Sequence, residues 1–269
     1  MAEVSRHGAR VLAAFIDAAS WERTMDCLLG WARARESRYV AICNVHVVVT
    51  ASRDEAYRQV INGADMATPD GAPVAWMLRR FGFANQPRIT GPDLMWALYR
   101  RCAEEGLPVY FYGSTEPTLA GLASRLKIVF PGLIVAGMES PPFRALSDGE
   151  DDAAVARIND SGAAIVFIGL GCPKQECWMA AHRGRVNAVM VGVGAAFDFH
   201  AGTVRRAPKW MQERGLEWVF RLLSEPRRLW KRYLVTNTLF ILGASRQLIL
   251  SRWLVGRRRA GNKTITRSG

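Results

Sequence analysis

The sequence predicts an α/β fold: a parallel sheet flanked by helices, followed by a basic helical C-terminal appendage. Three observations predict it. Apolar, β-branched runs alternate with helix-patterned stretches between residues 39 and 193. Turns carrying glycine or asparagine follow those runs. Charge divides sharply along the chain. Residues 1–204 hold 20 Lys/Arg and 21 Asp/Glu, a net of −1, whereas residues 205–269 hold 16 and 3, a net of +13.

Taken in order, residues 9–16 read as a short strand or edge element. Residues 20–36 read as a helix with Ser20 as N-cap and Leu28, Leu29 and Trp31 on its apolar face. Strands are expected at 39–43, 108–112, 133–136, 163–169 and 187–193. Helices are expected at 51–63, 72–81, 92–105, 117–129, 150–160 and 174–182. The continuous apolar runs at 163–169 and 187–193 suit central strands covered on both faces. After residue 204 the chain turns helical, basic and aromatic, with Trp210, Trp218, Phe220, Trp230, Tyr233, Phe240 and Trp253; Pro208 and Pro226 mark boundaries. The division predicted is a catalytic domain at 1–204 and an appendage at 205–269, with a disordered tail from about 258.

Composition narrows the class. The chain is 49% hydrophobic and 22% charged over 269 residues, which excludes a disordered or fibrous protein and permits a large core. Its five cysteines form no C-x-x-C pair and its four histidines do not cluster, so no metal site and a reduced, cytosolic setting are expected. No signal-type apolar run opens the chain, and no uninterrupted apolar stretch of ~18 residues predicts a classical spanning helix. A net charge of +12 directs attention to phosphate-bearing partners: nucleic acid, anionic lipid or a phosphorylated substrate.

Ligands of an open α/β sheet bind outside the carboxyl ends of the strands. Four polar or glycine-rich clusters fall there: Asn44, Gly113-Ser114, Gly169 to Glu176, and Gly192 to Asp198. Gly169 and Gly171 allow close backbone approach, Pro173 suits a first helical turn, and Lys174, Gln175 and Glu176 add charge and hydrogen-bonding groups. The segment is either a phosphate cradle or an ordinary strand-to-helix turn; it is neither a P-loop nor a full G-x-G-x-x-G. Asp198 either accepts from a sugar hydroxyl or caps its loop. Asp70 either N-caps the following helix or acts as a general base on a hydroxyl. Arg88 either touches a phosphate or is a surface charge, and Asp93 opens a helix. If helical, residues 217–232 place Arg221, Arg228 and Arg232 on roughly one face, with Pro226 kinking or restarting the helix. These guanidinium groups either clamp a diphosphate or form a solvated face. Residues 238–255 mix Leu239, Phe240, Ile241, Leu242, Leu248, Ile249 and Leu250 with Arg246 and Arg252, and Arg257 to Arg259 follow. Such a helix lies in a lipid headgroup layer or packs on its own domain or a sister subunit. The sequence contains no D-x-D, no G-x-S-x-G and no covalent-hydrolase Cys/His pattern.

These blocks together resemble a known family. Asn44, Pro69-Asp70-Gly71, Arg88-x-x-Gly91-x-Asp93-Leu94, Gly169-x-Gly171-x-Pro173-Lys174-Gln175-Glu176, Gly192-Val193-Gly194-x-x-Phe197-Asp198, Arg206-Ala207-Pro208 and Glu217-Trp218-x-x-Arg221-Leu222-x-x-Glu225-Pro226 are similar to the WecG/TagA/CpsF glycosyltransferases over roughly residues 10–240. The resemblance implies a Rossmann-like fold whose appendage helps to close the site and reach the membrane. It implies inverting, metal-independent transfer of a sugar from a UDP-sugar to a polyprenyl-diphosphate-linked saccharide, with no cofactor, in cell-surface polysaccharide synthesis. The transferred sugar would be N-acetylmannosamine, its uronic acid, glucose or a similar one. The place implied is the anionic cytoplasmic face of a bacterial inner membrane, with no nucleic-acid partner. The family's proposed base maps onto Asp70 and its first-region arginine onto Arg88. The diphosphate arginines map onto Arg221 and Arg228, with Lys231 or Arg232 as a third cation. The nucleotide pocket maps onto Asn44, Gly169, Gln175, Glu176 and Asp198. One position departs: many members carry Thr two residues before the asparagine, where this chain has Ile42. The rival from another class is a non-enzymatic nucleic-acid-binding protein with a basic C-terminal arm, which explains the charge and leaves the glycine-rich strand ends idle.

Overall fold

A computed structural model describes residues 6–265, with side chains through Ser251 and at Trp253. The tail expected to be disordered from about 258 lies outside the described side chains. The chain opens with an antiparallel hairpin, β1 (Gly8–Val11) and β2 (Ala14–Asp17). The single strand expected over 9–16 is thus two strands, reversed at Leu12, whose φ is 55°. Next comes α1 (Trp21–Arg33), capped as expected by Ser20, which accepts from Arg23 N.

After β3 (Arg38–Cys43), the helix expected over 51–63 begins earlier and is divided into α2 (Val45–Arg53) and α3 (Glu55–Asn62). Asn44 caps α2 through His46 N and Val47 N, and Asp54, in extended backbone, caps α3 through Tyr57 N. The β-branched run Val47-Val48-Val49 hid the start of α2, because side-chain type alone favours a strand there. β4 (Met66–Pro69) was not expected at all. It is short, lies at a sheet edge and ends on proline, which an edge tolerates. There follow α4 (Ala72–Arg80), α5 (Gly91–Glu105), β5 (Val109–Gly113), α6 (Glu116–Val129), β6 (Val135–Glu139), α7 (Asp148–Asp160), β7 (Ile165–Gly169), α8 (Lys174–His182), β8 (Val189–Gly192) and α9 (Ala196–Ala201).

The six strands β3 to β8 form one Rossmann-like parallel sheet in the order β4-β3-β8-β7-β5-β6. Alternate residues feed two cores. Tyr39, Ala41, Val166, Ile168 and Met190 meet α2, α3, α7 and α8 on one face. Val40, Ile42, Ile165, Phe167 and Val191 meet α1, α5, α6 and α9 on the other. This period-two division buries both faces of the sheet. Moving along the sheet, the helices that follow β3, β8, β7 and β5 lie on alternating faces, so the chain parts at each of these strand ends and opens a crevice there.

Beyond the sheet lie α10 (Lys209–Glu213), α11 (Glu217–Ser224) and α12 (Pro226–Ile265). Glu225 leaves helical geometry and Pro226 opens α12, so the proline restarts the helix. Leu229, Thr236, Phe240 and Ala244 form a buried stripe along α12, which packs against α2. Trp230, Leu234, Val235, Ile241, Leu242 and Ile249 are exposed. By length and composition alone, Pro226–Ser251 is apolar enough to cross a membrane. The expectation of no spanning helix rested on an uninterrupted apolar run; this window averages its polar residues away.

Candidate active site

Parallel register brings the strand ends to one level. Cys43 pairs with Pro69, Ala41 with Gly192, Ile168 with Gly192, and Gly113 with Gly169. Asn44, Asp70, the Gly192–Gly194 turn and the Gly169–Gly171 turn therefore share one rim of the sheet. Gly113 and Gly169 must both be small: a Cβ on Gly113 would stand 2.6 Å from the Gly169 carbonyl carbon, and one on Gly169 would stand 2.9 Å from the Phe197 ring.

Asp70 is the reactive group best placed on this rim. It does not cap α4: the N-cap position belongs to Gly71, and no side-chain cap bond forms. Its backbone N–H donates to Cys43 O at 3.0 Å, which pins the residue beside β3. Burial pushes the Asp70 carboxyl up to about 7, and the Glu217 charge pushes the same way; Arg88, Arg206 and Arg221 pull against them. A carboxylate with such a value titrates where a general base is most effective.

The arginines arrive from three directions. Arg88 precedes α5, and its carbonyl accepts from Trp21 Nε1 at 3.1 Å. Arg206 forms a fork with Asp93, at 2.5 Å and 2.9 Å, and reaches Glu217 at 3.3 Å. Thr90 caps α5 and donates to Asp93 Oδ2 at 2.6 Å, so Asp93 opens the helix as expected. Burial opposes ionisation of Asp93, yet the Arg206 and Thr90 bonds and the Arg206 and Arg88 charges hold its carboxyl below the usual value. Arg221, on α11, lies over the Phe199 ring at 5.6 Å from its centroid and acts on both Asp70 and Asp198.

Asp198 sits on α9, where Thr118 Oγ1 donates to it at 3.3 Å. Burial raises its carboxyl, with Thr118, Arg228 and Arg221 opposing. Arg228 pairs with Glu225 on the same side of the crevice. Arg232 stands near His46 and Cys172: burial and then the Arg232 charge lower the His46 imidazole. Lys231 is exposed and lies over the Trp230 ring. Arg221 belongs to α11 while Arg228 and Arg232 belong to α12, so two helices rather than one supply the cations.

The glycine turns are supported from below. Gln175 is buried, accepts from Gly171 N at 3.2 Å and donates to Glu176 Oε1 at 2.7 Å. A Cβ on Gly192 would stand 3.2 Å from Gln175 Nε2, so this side chain fills the space between the two turns. Glu176 is fully buried, and burial raises its carboxyl. Gln175 thus spans the two turns and Glu176 is buried beside it, while Lys174 is exposed at the start of α8. Sequence reasoning gave no individual role to Arg206, Glu217, His46, Thr118 or Phe199. Arg206 and Glu217 stood within quoted blocks; nothing local marked the other three. Among the described residues, no group of three His, Cys, Asp or Glu side chains is placed to hold a metal ion.

The arrangement can accept a proton at Asp70 and neutralise a polyanion beside it with guanidinium groups. The model of the glycosyl transferase WecG/TagA/CpsF family matches residues 9–253, and the chain belongs to this family of glycosyltransferases.

Proposed function

We propose, with membership of the WecG/TagA/CpsF family as the premise, that this protein is an inverting, metal-independent transferase. It would move N-acetylmannosamine, its uronic acid, glucose or a similar sugar from a UDP-sugar to a polyprenyl-diphosphate-linked saccharide. The setting would be the cytoplasmic face of a bacterial inner membrane. Family membership implies a sugar donor and a lipid-linked acceptor in general; the UDP and polyprenyl assignments rest on the motif resemblance.

The observation that carries the mechanism is Asp70, raised to about 7 and surrounded by Arg88, Arg206 and Arg221. The acceptor hydroxyl gives its proton to the Asp70 carboxylate as its oxygen attacks the anomeric carbon. The bond from that carbon to the UDP oxygen breaks on the opposite face, and UDP leaves with the electron pair. Arg221 and Arg228, with Arg232 near Cys172, neutralise the charge that grows on the diphosphate. Asn44, Asp198 and the two glycine turns offer the surroundings of a nucleotide and its sugars. The exposed apolar side chains of α12 would lie in the headgroup layer, bringing the crevice to a lipid-linked acceptor.

The experiment is Asp70→Asn, assayed with a lipid-diphosphate-sugar acceptor and titrated calorimetrically with UDP in EDTA. Turnover is expected to fall on the order of 10²–10⁴-fold while UDP binding persists. Near-normal turnover in the variant would overturn the assignment of the base.

A further inference from the structure

The hairpin and α12 meet across 235 sequence positions, at a contact that the proposed chemistry does not use. Leu12 N donates to Gln247 Oε1 at 2.9 Å, and Gln247 Nε2 donates to Arg10 O at 2.7 Å. One carboxamide thus satisfies both a backbone donor and a backbone acceptor of the hairpin tip. One turn earlier in α12, Gly243 faces the same tip: a Cβ there would stand 2.6 Å from Leu12 Cδ2. The helix therefore carries a notch, and Leu12 occupies it.

Leu12 is an unexpected residue for its own turn. Its φ of 55° lies in the left-handed region, which glycine adopts freely and leucine does not. Glycine would serve the reversal better; the leucine side chain serves the notch. The hairpin is itself fastened to the sheet. Asp17 Oδ2 accepts from Ala67 N at 2.6 Å, on the strand that leads to Asp70, and Phe15 N donates to Asn62 Oδ1 at 2.7 Å.

We infer that Leu12 and Gln247 are positioning residues: they set the rotation and register of α12 so that Arg228 and Arg232, near its other end, stand over the strand ends. Gln247 and Arg232 are about 22 Å apart along a continuous helix. Between them the inward side chains Phe240 and Ala244 join the core and hold the helix down. The directional bonds at Gln247 supply its register. This role rests on the proposed use of Arg228 and Arg232 as a diphosphate clamp.

The test uses the full-length protein with two variants. Gln247→Glu keeps the shape and loses the donor to Arg10 O. Leu12→Gly relieves the turn and empties the notch, so the hairpin itself is not strained by the change. Hydrogen exchange is followed in peptides covering residues 229–247, with calorimetric UDP binding and steady-state kinetics alongside. Exchange in α12 is expected to quicken about tenfold in both variants, with β3, β7 and β8 unchanged. The UDP dissociation constant and donor KM should rise together, each by the inverse of the fraction of molecules whose α12 keeps its register, while kcat stays within about twofold, because saturating donor draws the helix back. Unchanged exchange in both variants would overturn the latch. Faster exchange with unchanged UDP affinity would overturn its positioning role. Wild-type protein that binds no UDP would defeat the clamp, and with it this role, while the exchange data still decide whether the latch exists.

Discussion

Arg206 grips Asp93 with two guanidinium nitrogens, at 2.5 Å and 2.9 Å, and so fastens the chain entering the appendage to the first turn of α5. The same guanidinium reaches Glu217 at 3.3 Å. Three elements that meet at Asp70 thus share one cation. Replacing Arg206 by alanine should lower stability by about 2 kcal/mol, the scale of a charge-assisted hydrogen-bonded pair that is partly shielded from water. It should also raise the Asp70 carboxyl further, since Arg206 is one of the charges pulling it down. Urea unfolding measures the first effect and the acid limb of kcat/KM the second. Wild-type stability with an unmoved limb would show that the fork does neither.

The Asp70 value gives a signed pH prediction. A base must be ionised to accept a proton, so kcat/KM should climb about tenfold per pH unit below 7 and level off above it. Stability should run the other way. Between about pH 4 and pH 7 the native protein holds a proton on Asp70 that the unfolded chain has lost, so this group's contribution falls as pH rises through the window. Asp70→Asn should therefore melt higher than wild type at pH 8 and alike at pH 4. Because the Glu217 charge helps to raise Asp70, Glu217→Gln should move the activity limb to lower pH.

Arg221 combines a charge with a platform, the Phe199 ring 5.6 Å beneath its guanidinium. Stacking restrains a side chain that would otherwise sample many rotamers. Arg221→Ala should lower kcat on the order of 10²-fold, the usual effect of removing one preorganised donor to a developing charge. Phe199→Leu should give a smaller loss, because it leaves the charge and removes only its support. Equal losses in the two variants would place the ring itself in the chemistry, and no loss in either would remove Arg221 from the leaving-group role.

Sequence reasoning reached much of this fold and only part of its site, for identifiable reasons. The alternation of apolar runs and helices was visible because each element is long compared with its pattern period. Ser20 was legible as a cap because its bond to Arg23 N is local. The hairpin was missed because Ala9 to Ile16 reads as one apolar run, and nothing in it announces that Leu12 takes a glycine-like φ. β4 was missed because it is four residues long and ends on proline. The cap role considered for Asp70 gave way because Gly71 takes that position, which frees the carboxylate. The Arg206–Asp93 fork joins residues 113 positions apart, and no local pattern encodes such a pair. Gln175 and Glu176 stand out in the sequence because they follow a glycine turn; their burial against it depends on packing that no local pattern encodes.

The outer surface of α12 carries the last prediction. Ile241 and Ile249 are 63% and 68% exposed, so replacing each by glutamate removes no core contact and should leave the melting temperature unchanged. If this face lies in the headgroup layer, the two substitutions together should weaken binding to anionic vesicles by tenfold or more. Each one withdraws an apolar side chain whose burial is worth about 1.5–3 kcal/mol and sets a negative charge against lipid phosphates. Vesicle sedimentation of the full-length protein measures it, with neutral vesicles separating the apolar from the ionic part. If vesicle binding persists in the double variant while a self-associated species dissociates in sedimentation equilibrium, a second copy of the chain, not lipid, covers this face. The lipid-linked acceptor would then have to reach Asp70 by another side of the crevice.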